Sequence, residues 1–417
     1  MRRRWLGIFG LVAITYSFVT PSSLLMSQVS FKGSKGVNLH NWFTWTPQIS
    51  ASTYRLPVFV GMPGALTIPE AKRLRIAGFD FVRLTVDPGV FMLLSGPSLR
   101  QATDALLAGI DSLQAAGLSV IVDMHPISRV HPDPASAYAG VKALEGGVED
   151  PTARRFENTA AALAKVLDDH YGRASQIAFE LLNEPDLPCG APSWRNQQAA
   201  LLHAVRDSAP RLTLILTGSC WGGIDGLVAL EAADYPDSNT IYSFHFYDPY
   251  RFTHQGTKTD DINRYTSGLP YPTSEHRLGS IENSVSSRLP PQSSDTRKAI
   301  AFMKDKYLSD VWDFARVDAQ MERVAAWARD NNVLPSRILM GEFGVNADRN
   351  GVPGAHAEDR MRWLTDVRRA AEARGFRWAM WLYRGNNKGG DEFDLVIDGK
   401  KKLDQNALSA LGLQHTQ

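Results

Sequence analysis

Apolar positions along this chain alternate between two rhythms. Short runs rich in β-branched and aromatic residues are followed by longer stretches in which apolar side chains recur every third or fourth position. The short runs fall at 36–39, 81–86, 119–125, 177–183, 213–217, 240–246, 338–342 and 378–383. Strand followed by helix is the signature of βα units around a parallel sheet, and eight such strands close naturally into a (β/α)8 TIM barrel of the α/β class. The helical stretches carry matching punctuation. Thr67 and Glu70 read as a capping box and Gly78 as the left-handed terminator of the same helix, and Ser98 with Gln101 repeats the box. The second helix aligns Ala102, Leu106, Ile110 and Leu113 before Gly117, and a third opens at Asp150-Pro151 and buries Phe156, Leu163 and Leu167 before Gly172. Later helices are expected over 193–208, 310–331 and 356–374, with short ones over 225–233 and 404–411.

One stretch breaks the rhythm. Residues 250–310, after the sixth strand, hold Pro and Ser clusters such as Leu289-Pro290-Pro291-Gln292-Ser293-Ser294. Long loops act as lids or binding walls, and loops that follow barrel strands flank the catalytic mouth, so this insertion belongs at the active rim. At the amino end, Arg2, Arg3 and Arg4 precede an apolar run over 5–19, and no charge appears until Lys32. Pro21 interrupts the run after roughly 15 residues, short of the ~20 of a membrane-spanning helix, which favours a cleavable export signal. No Ala-x-Ala cleavage pattern follows, so an uncleaved tether stays open. The chain divides into a leader, 1–30, that is a signal peptide or N-terminal membrane anchor, and a barrel domain, 31–417, expected to be periplasmic or secreted. The membrane is a partner only if the leader is retained.

Charge narrows the partner. A formal net charge of +1 over 417 residues leaves no footprint for nucleic acid and points to a near-neutral substrate. Cys189 and Cys220 each follow a predicted strand closely. If those strands are neighbours, both thiols sit on adjacent loops at one rim, where a bridge would close a loop of ~30 residues for a few kcal/mol; two unrelated buried thiols are the alternative.

The chemistry sits at strand ends. Asn183-Glu184-Pro185 closes the fourth run and Glu342 the seventh. Two carboxylates converging at a barrel mouth suit glycoside hydrolysis, in which one carboxylic acid protonates the departing oxygen and the other carboxylate attacks the anomeric carbon. The acid needs a pKa above the ~4.3 of a free Glu, which a neighbouring anion can supply, whereas the nucleophile needs hydrogen-bond donors that keep it ionised. Asn183, beside the acid, can donate its amide to a sugar 2-hydroxyl. Glu180 faces inward by strand parity, as a structural ion-pair partner for Arg83. Neither chemical step calls for a metal or an organic cofactor.

Seven pieces in order complete the picture: Gly36-Val37-Asn38-Leu39, Val82-Arg83-Leu84, Asp123-Met124-His125, Leu182-Asn183-Glu184-Pro185, His245-Phe246-Tyr247, Gly341-Glu342-Phe343-Gly344 and Trp381. With them the chain, from Gly36 to about Leu395, resembles glycoside hydrolase family 5, the cellulase family of retaining β-glycanases. The resemblance implies that Glu184 is the acid/base and Glu342 the nucleophile, that Arg83 and Tyr247 donate to Glu342, and that His125 and His245 stand beside the sugar-binding cleft. It implies a β-linked polysaccharide or oligosaccharide as substrate, with β-1,4-glucan favoured and mannan, β-1,3-glucan or the cell's own exopolysaccharide as alternatives. Indole rings suit the apolar faces of pyranoses. Trp381 is the expected sugar platform, and Trp42 and Trp221, after strands one and five, would extend the groove. A metal hydrolase using Asp123, His125 and His245 is disfavoured because no further histidine ligand is evident, and a non-catalytic sugar-binding protein predicts loss of a carboxylate that this chain retains.

Overall fold

The computed structural model describes residues 29–50, 53–127, 147–172, 176–259, 261–273, 294–349, 351–385, 392–397 and 402–414, with isolated positions between 279 and 285. The expected leader up to residue 28 and the Pro-rich run 289–293 lie outside them. Eight parallel strands close a barrel: β1 Lys35–Phe43, β2 Phe81–Val86, β3 Ser119–Met124, β4 Ile177–Glu180, β5 Thr213–Thr217, β6 Thr240–His245, β7 Ile338–Phe343 and β8 Arg377–Met380. Each strand pairs with its successor in the chain, and β8 returns to β1. β1 runs past its expected end, while β4 and β8 stop short of theirs. Beyond β4 the chain keeps single bonds to both neighbours, from the Leu181 N–H to the Ile215 carbonyl and from the Asn183 N–H to the Met124 carbonyl.

The helices follow the sequence punctuation closely. Thr67 and Glu70 form both halves of a capping box on the helix Ile68–Ala77, and Gly78 takes the left-handed conformation at its end. The second box does not form. The helix Gly96–Ala115 starts earlier than expected, after Ser95, with Pro97 in its first turn, so Ser98 lies inside it and Gln101 instead bonds the Val58 backbone. Asp150 and Asp404 cap the helices Pro151–Tyr171 and Gln405–Ala410. Among the described residues of the insertion, short helices span Tyr250–Thr253, Asp261–Tyr265 and Ser294–Phe302, buried Tyr271 ties it to Asp366, and buried Tyr307 joins it internally to the Pro270 carbonyl.

Inside the barrel the side chains form layers. The floor is apolar: Phe81, Ile121, Ala178, Ile215, Ile241, Leu339 and Ala379 meet Val29 and Phe31, which plug the barrel from below. Arg377 donates to the carbonyls of Phe31 and Gly33 and holds the plug in place. Gly36 is required here because a Cβ would stand 2.3 Å from the Phe81 ring. Two residues further along β1 to β6 the lining turns polar, with Asn38, Arg83, Asp123, Glu180, Thr217 and Ser243, and that polar layer carries the site.

Candidate active site

Arg83 is the centre of the polar layer. It follows Phe81 on the inward face of β2 and is fully buried. Its Nε donates to Glu180 at 2.6 Å, Nη1 to Asn38 at 3.0 Å and Glu342 at 2.8 Å, and Nη2 to Asn183 at 2.8 Å, with Asp123 at 3.1 Å. A planar five-donor fork suits such a set better than a point charge does. Glu180 is therefore a structural partner of Arg83, and Arg83 also grips the cleft residue Glu342. Because Asn183 Oδ1 accepts from Arg83, its amide nitrogen is left free to donate elsewhere. One guanidinium cannot balance three buried carboxylates. Burial accordingly pushes Asp123 up to about 6 and raises Glu180 and Glu342, with Arg83 pulling each back.

Glu342 reaches the interior through a break in strand alternation. Leu339 and Gly341 face inward on β7, so strict period-two alternation would send Glu342 outward. The β6–β7 register jumps from Phe244 opposite Met340 to His245 opposite Glu342, one extra residue on β7, and the bulge re-aims the carboxylate into the mouth. Gly341 makes this possible: a Cβ there would lie 2.7 Å from Ser243 Oγ and 3.1 Å from His245 Nε2. Glu342 Oε1 accepts from Arg83 and Oε2 from the Tyr247 hydroxyl at 2.9 Å. Burial and the Glu342 charge hold that phenol far above its usual pKa, as a neutral donor.

Glu184 lies across the cleft, with its Oε1 2.6 Å from His245 Nδ1. Although 27% of its side chain faces solvent, the surrounding protein displaces enough water to push its carboxyl up to about 7. Burial is the main cause and the anion Glu180 a lesser one, reversing the emphasis of the sequence reading. For Glu342 the expected donors are present, yet burial outweighs them and the net direction is upward. The histidines go the other way: burial lowers His245, brings His125 to about 4 and takes His40 well below its usual range, so all three are neutral near pH 7.

The walls are aromatic. Trp381 follows β8 and stacks on His125 with ring centroids 5.9 Å apart and planes 12° apart; His125 Nδ1 is fixed by Asp123 at 2.8 Å. His40, overlooked in the sequence reading, packs against both rings and bridges Thr85 and the Trp45 indole N–H. It continues the inward series of Gly36 and Asn38, and counting by two from those residues finds it. Trp42 does not reach an open surface. It is buried and stacked on Phe43 beside Gly109 of the helix Gly96–Ala115, because the β1 register shifts between Leu39 and Phe43, with Asn41 at a φ of 64°, and the strand leaves the alternation that would have turned Trp42 inward. Trp221, 57% exposed, lines a cavity of about 670 Å³ that opens beside Glu184 and is also bounded by His245, Tyr247, Asp248, Tyr250, His254 and Thr259. The start of the insertion thus builds one cleft wall. Cys189 and Cys220 are joined in a disulfide on the same side.

Side-chain donor atoms of Glu184, His245 and Glu342 lie within 4.8 Å of one another, a set that could in principle hold a cation. Arg83 and Tyr247 already donate to both oxygens of Glu342, and Arg83 stands against Asp123, so this cluster fits proton transfer better than metal binding.

Comparison with known proteins agrees with this architecture. The family model for cellulase, glycosyl hydrolase family 5, matches residues 67–387. Endoglucanase 3 of Fibrobacter succinogenes is 24% identical over 94% of this chain, which spans 55% of that relative's length. Endoglucanase C of Acetivibrio thermocellus is 26% identical over 93% of this chain and all of its own length. Among solved structures, the cellulose synthase subunit Z of Clostridioides difficile superposes with a TM-score of 0.61 at 20% identity, covering 91% of this chain and 99% of that one. Endoglucanase Cel5A of Thermotoga maritima superposes at 0.60 and 21% identity, covering 91% and 96%. On the strength of the family match and the barrel that frames these carboxylates, the chain belongs to glycosyl hydrolase family 5 and is a glycoside hydrolase.

Proposed function

We propose that this enzyme is a retaining, endo-acting β-1,4-glucanase in which Glu184 is the acid and then the base, and Glu342 the nucleophile. The observation that carries the reading is the carboxyl pair. Oxygens of Glu184 and Glu342 lie within 4.8 Å of each other, whereas inverting enzymes hold their carboxyls about 6.5–9.5 Å apart to admit a water. Protonated Glu184 gives its proton to the glycosidic oxygen as Glu342 bonds to the anomeric carbon and the C–O bond breaks. Water then replaces Glu342 at that carbon and gives its proton to Glu184. Arg83 and Tyr247 hold the nucleophile in place, and the Asn183 amide faces the 2-hydroxyl, where its bond strengthens as the ring flattens. Trp381 stacks on the sugar that is attacked, and Trp221, beside the acid, on the sugar that departs.

β-1,4-Glucan is favoured because the curated relatives with the fullest coverage are named endoglucanases. Mannan is the second reading, since the Thermotoga Cel5A structures include complexes described with cellobiose and with mannotriose. Trimming of the cell's own exported polysaccharide is a third, prompted by the cellulose synthase subunit with the same fold. The apolar leader and the disulfide support work outside the cytoplasm. Purified β-1,4-glucan, β-1,3-glucan and mannan, scored for reducing ends and product lengths, test the assignment: internal cleavage of β-1,4-glucan is expected, and action on mannan alone overturns it.

A further inference from the structure

The loops after β4 and β5 are fastened together on the acid side of the cleft. A disulfide joins Cys189, shortly after Glu184, to Cys220, the residue before Trp221. Around it the Cys220 N–H donates to the Leu187 carbonyl at 2.9 Å, the Trp221 N–H to the Pro185 carbonyl at 3.1 Å, and the Gly190 N–H to the Ser219 hydroxyl at 3.1 Å. On the far side the Gly222 carbonyl accepts from the His245 N–H at 2.8 Å. Cys220, Trp221 and Gly222 have φ of 66°, 57° and 65°, three left-handed residues in a row. Residues with a Cβ rarely adopt that conformation, and it persists where neighbouring structure over-determines it. What the loop presents is the Trp221 indole, exposed on the wall of the cavity that holds Glu184. So exposed a ring takes its placement from the backbone beneath it.

We infer that the Cys189–Cys220 disulfide positions Trp221 for the departing sugar. The reduced enzyme keeps its acid and nucleophile and loses its grip on that sugar. This rests on Glu184 being the acid. Cys189 and Cys220 are positioning residues in this scheme, acting through Trp221 without touching substrate.

The test compares a substrate whose leaving group is a sugar with one whose leaving group is not. The measured quantity is the ratio of kcat/KM on the β-1,4-linked glucose tetramer to kcat/KM on β-cellobiosyl fluoride, whose fluoride departs without needing a platform. In the Cys189→Ala/Cys220→Ala enzyme the ratio is expected to fall about tenfold, chiefly through KM, the scale of one lost aromatic contact. Folded wild-type enzyme reduced with tris(2-carboxyethyl)phosphine gives the same fall, which covers a cysteine variant that does not fold. In a Trp221→Ala background, removing the cysteines is expected to change the ratio less than about twofold, as coupled groups do. An unchanged ratio on reduction, or an equal fall with and without Trp221, overturns the inference while leaving the catalytic reading intact. A wild-type enzyme inert toward both substrates overturns both.

Discussion

At the scale of single residues the site is governed by what burial does to charge. Glu184 is held at about 7 and Glu342 is raised from its usual range. The proposed mechanism needs the first protonated and the second ionised. kcat/KM on oligosaccharides should therefore fall as pH rises through about 7, when Glu184 loses its proton, and fall again toward acid, when Glu342 gains one. Glu184→Gln should erase the alkaline limb and lower kcat/KM on unactivated substrates by ~10²–10⁴-fold; an alkaline limb near 7 that survives in this variant sinks the assignment. Arg83 carries the compensating charge for Asp123, Glu180 and Glu342. Arg83→Met leaves three buried carboxylates without their cation and should cost on the order of 3–5 kcal/mol, read as a lower urea midpoint, along with loss of turnover. Retention of the wild-type midpoint would show that the carboxylates are neutralised some other way. That Glu184, Glu342 and Arg83 meet in one cleft was legible because each stands in a recognisable tripeptide. Their charge states were not, since burial is a property of the folded layer and not of the tripeptide.

At the scale of elements, the decisive feature is the extra residue on β7. Hydrophobic alternation locates the strand well, and the same alternation assigns Glu342 to the wrong face, because a bulge leaves no mark on the sequence beyond a glycine. Trp42 meets the same limit, because the register irregularity of β1 between Leu39 and Phe43 turns it into the packed layer, whereas His40 keeps the inward phase of Gly36 and Asn38 and is found by counting in twos. Gly341→Ala tests the bulge. The added methyl would stand 2.7 Å from Ser243 Oγ and 3.1 Å from His245 Nε2, so it should displace His245 from Glu184 and lower kcat by at least about tenfold, with far-UV circular dichroism unchanged. Full activity in that variant would mean that the bulge has slack and that His245 is not held by it. Capped helix ends were read securely at Thr67, Glu70 and Gly78, but at Ser98 an upstream proline starts the helix first, the helix expected from 310 begins at Phe314, and the one expected through 233 ends at Val228.

At the scale of the whole molecule, the barrel divides its interior between stability and chemistry. The floor is apolar and plugged by Val29 and Phe31, so the polar layer above it is closed to water from below and opens at the mouth. That separation makes burial strong enough to raise the carboxyl pKa values while leaving the cleft accessible. The barrel itself was legible from the alternation of runs, because eight βα units have few other ways to close. The insertion was legible only as an interruption; its contribution of Tyr250, His254 and Thr259 to the cleft wall depends on contacts between segments far apart in the chain. The central claim is that Glu184 and Glu342 act as a retaining pair, and the most direct measurement is the anomeric configuration of the first product, followed by proton NMR during hydrolysis of a β-linked glucan oligosaccharide. The account predicts that the β-anomer appears first and mutarotates afterwards; initial appearance of the α-anomer would contradict it.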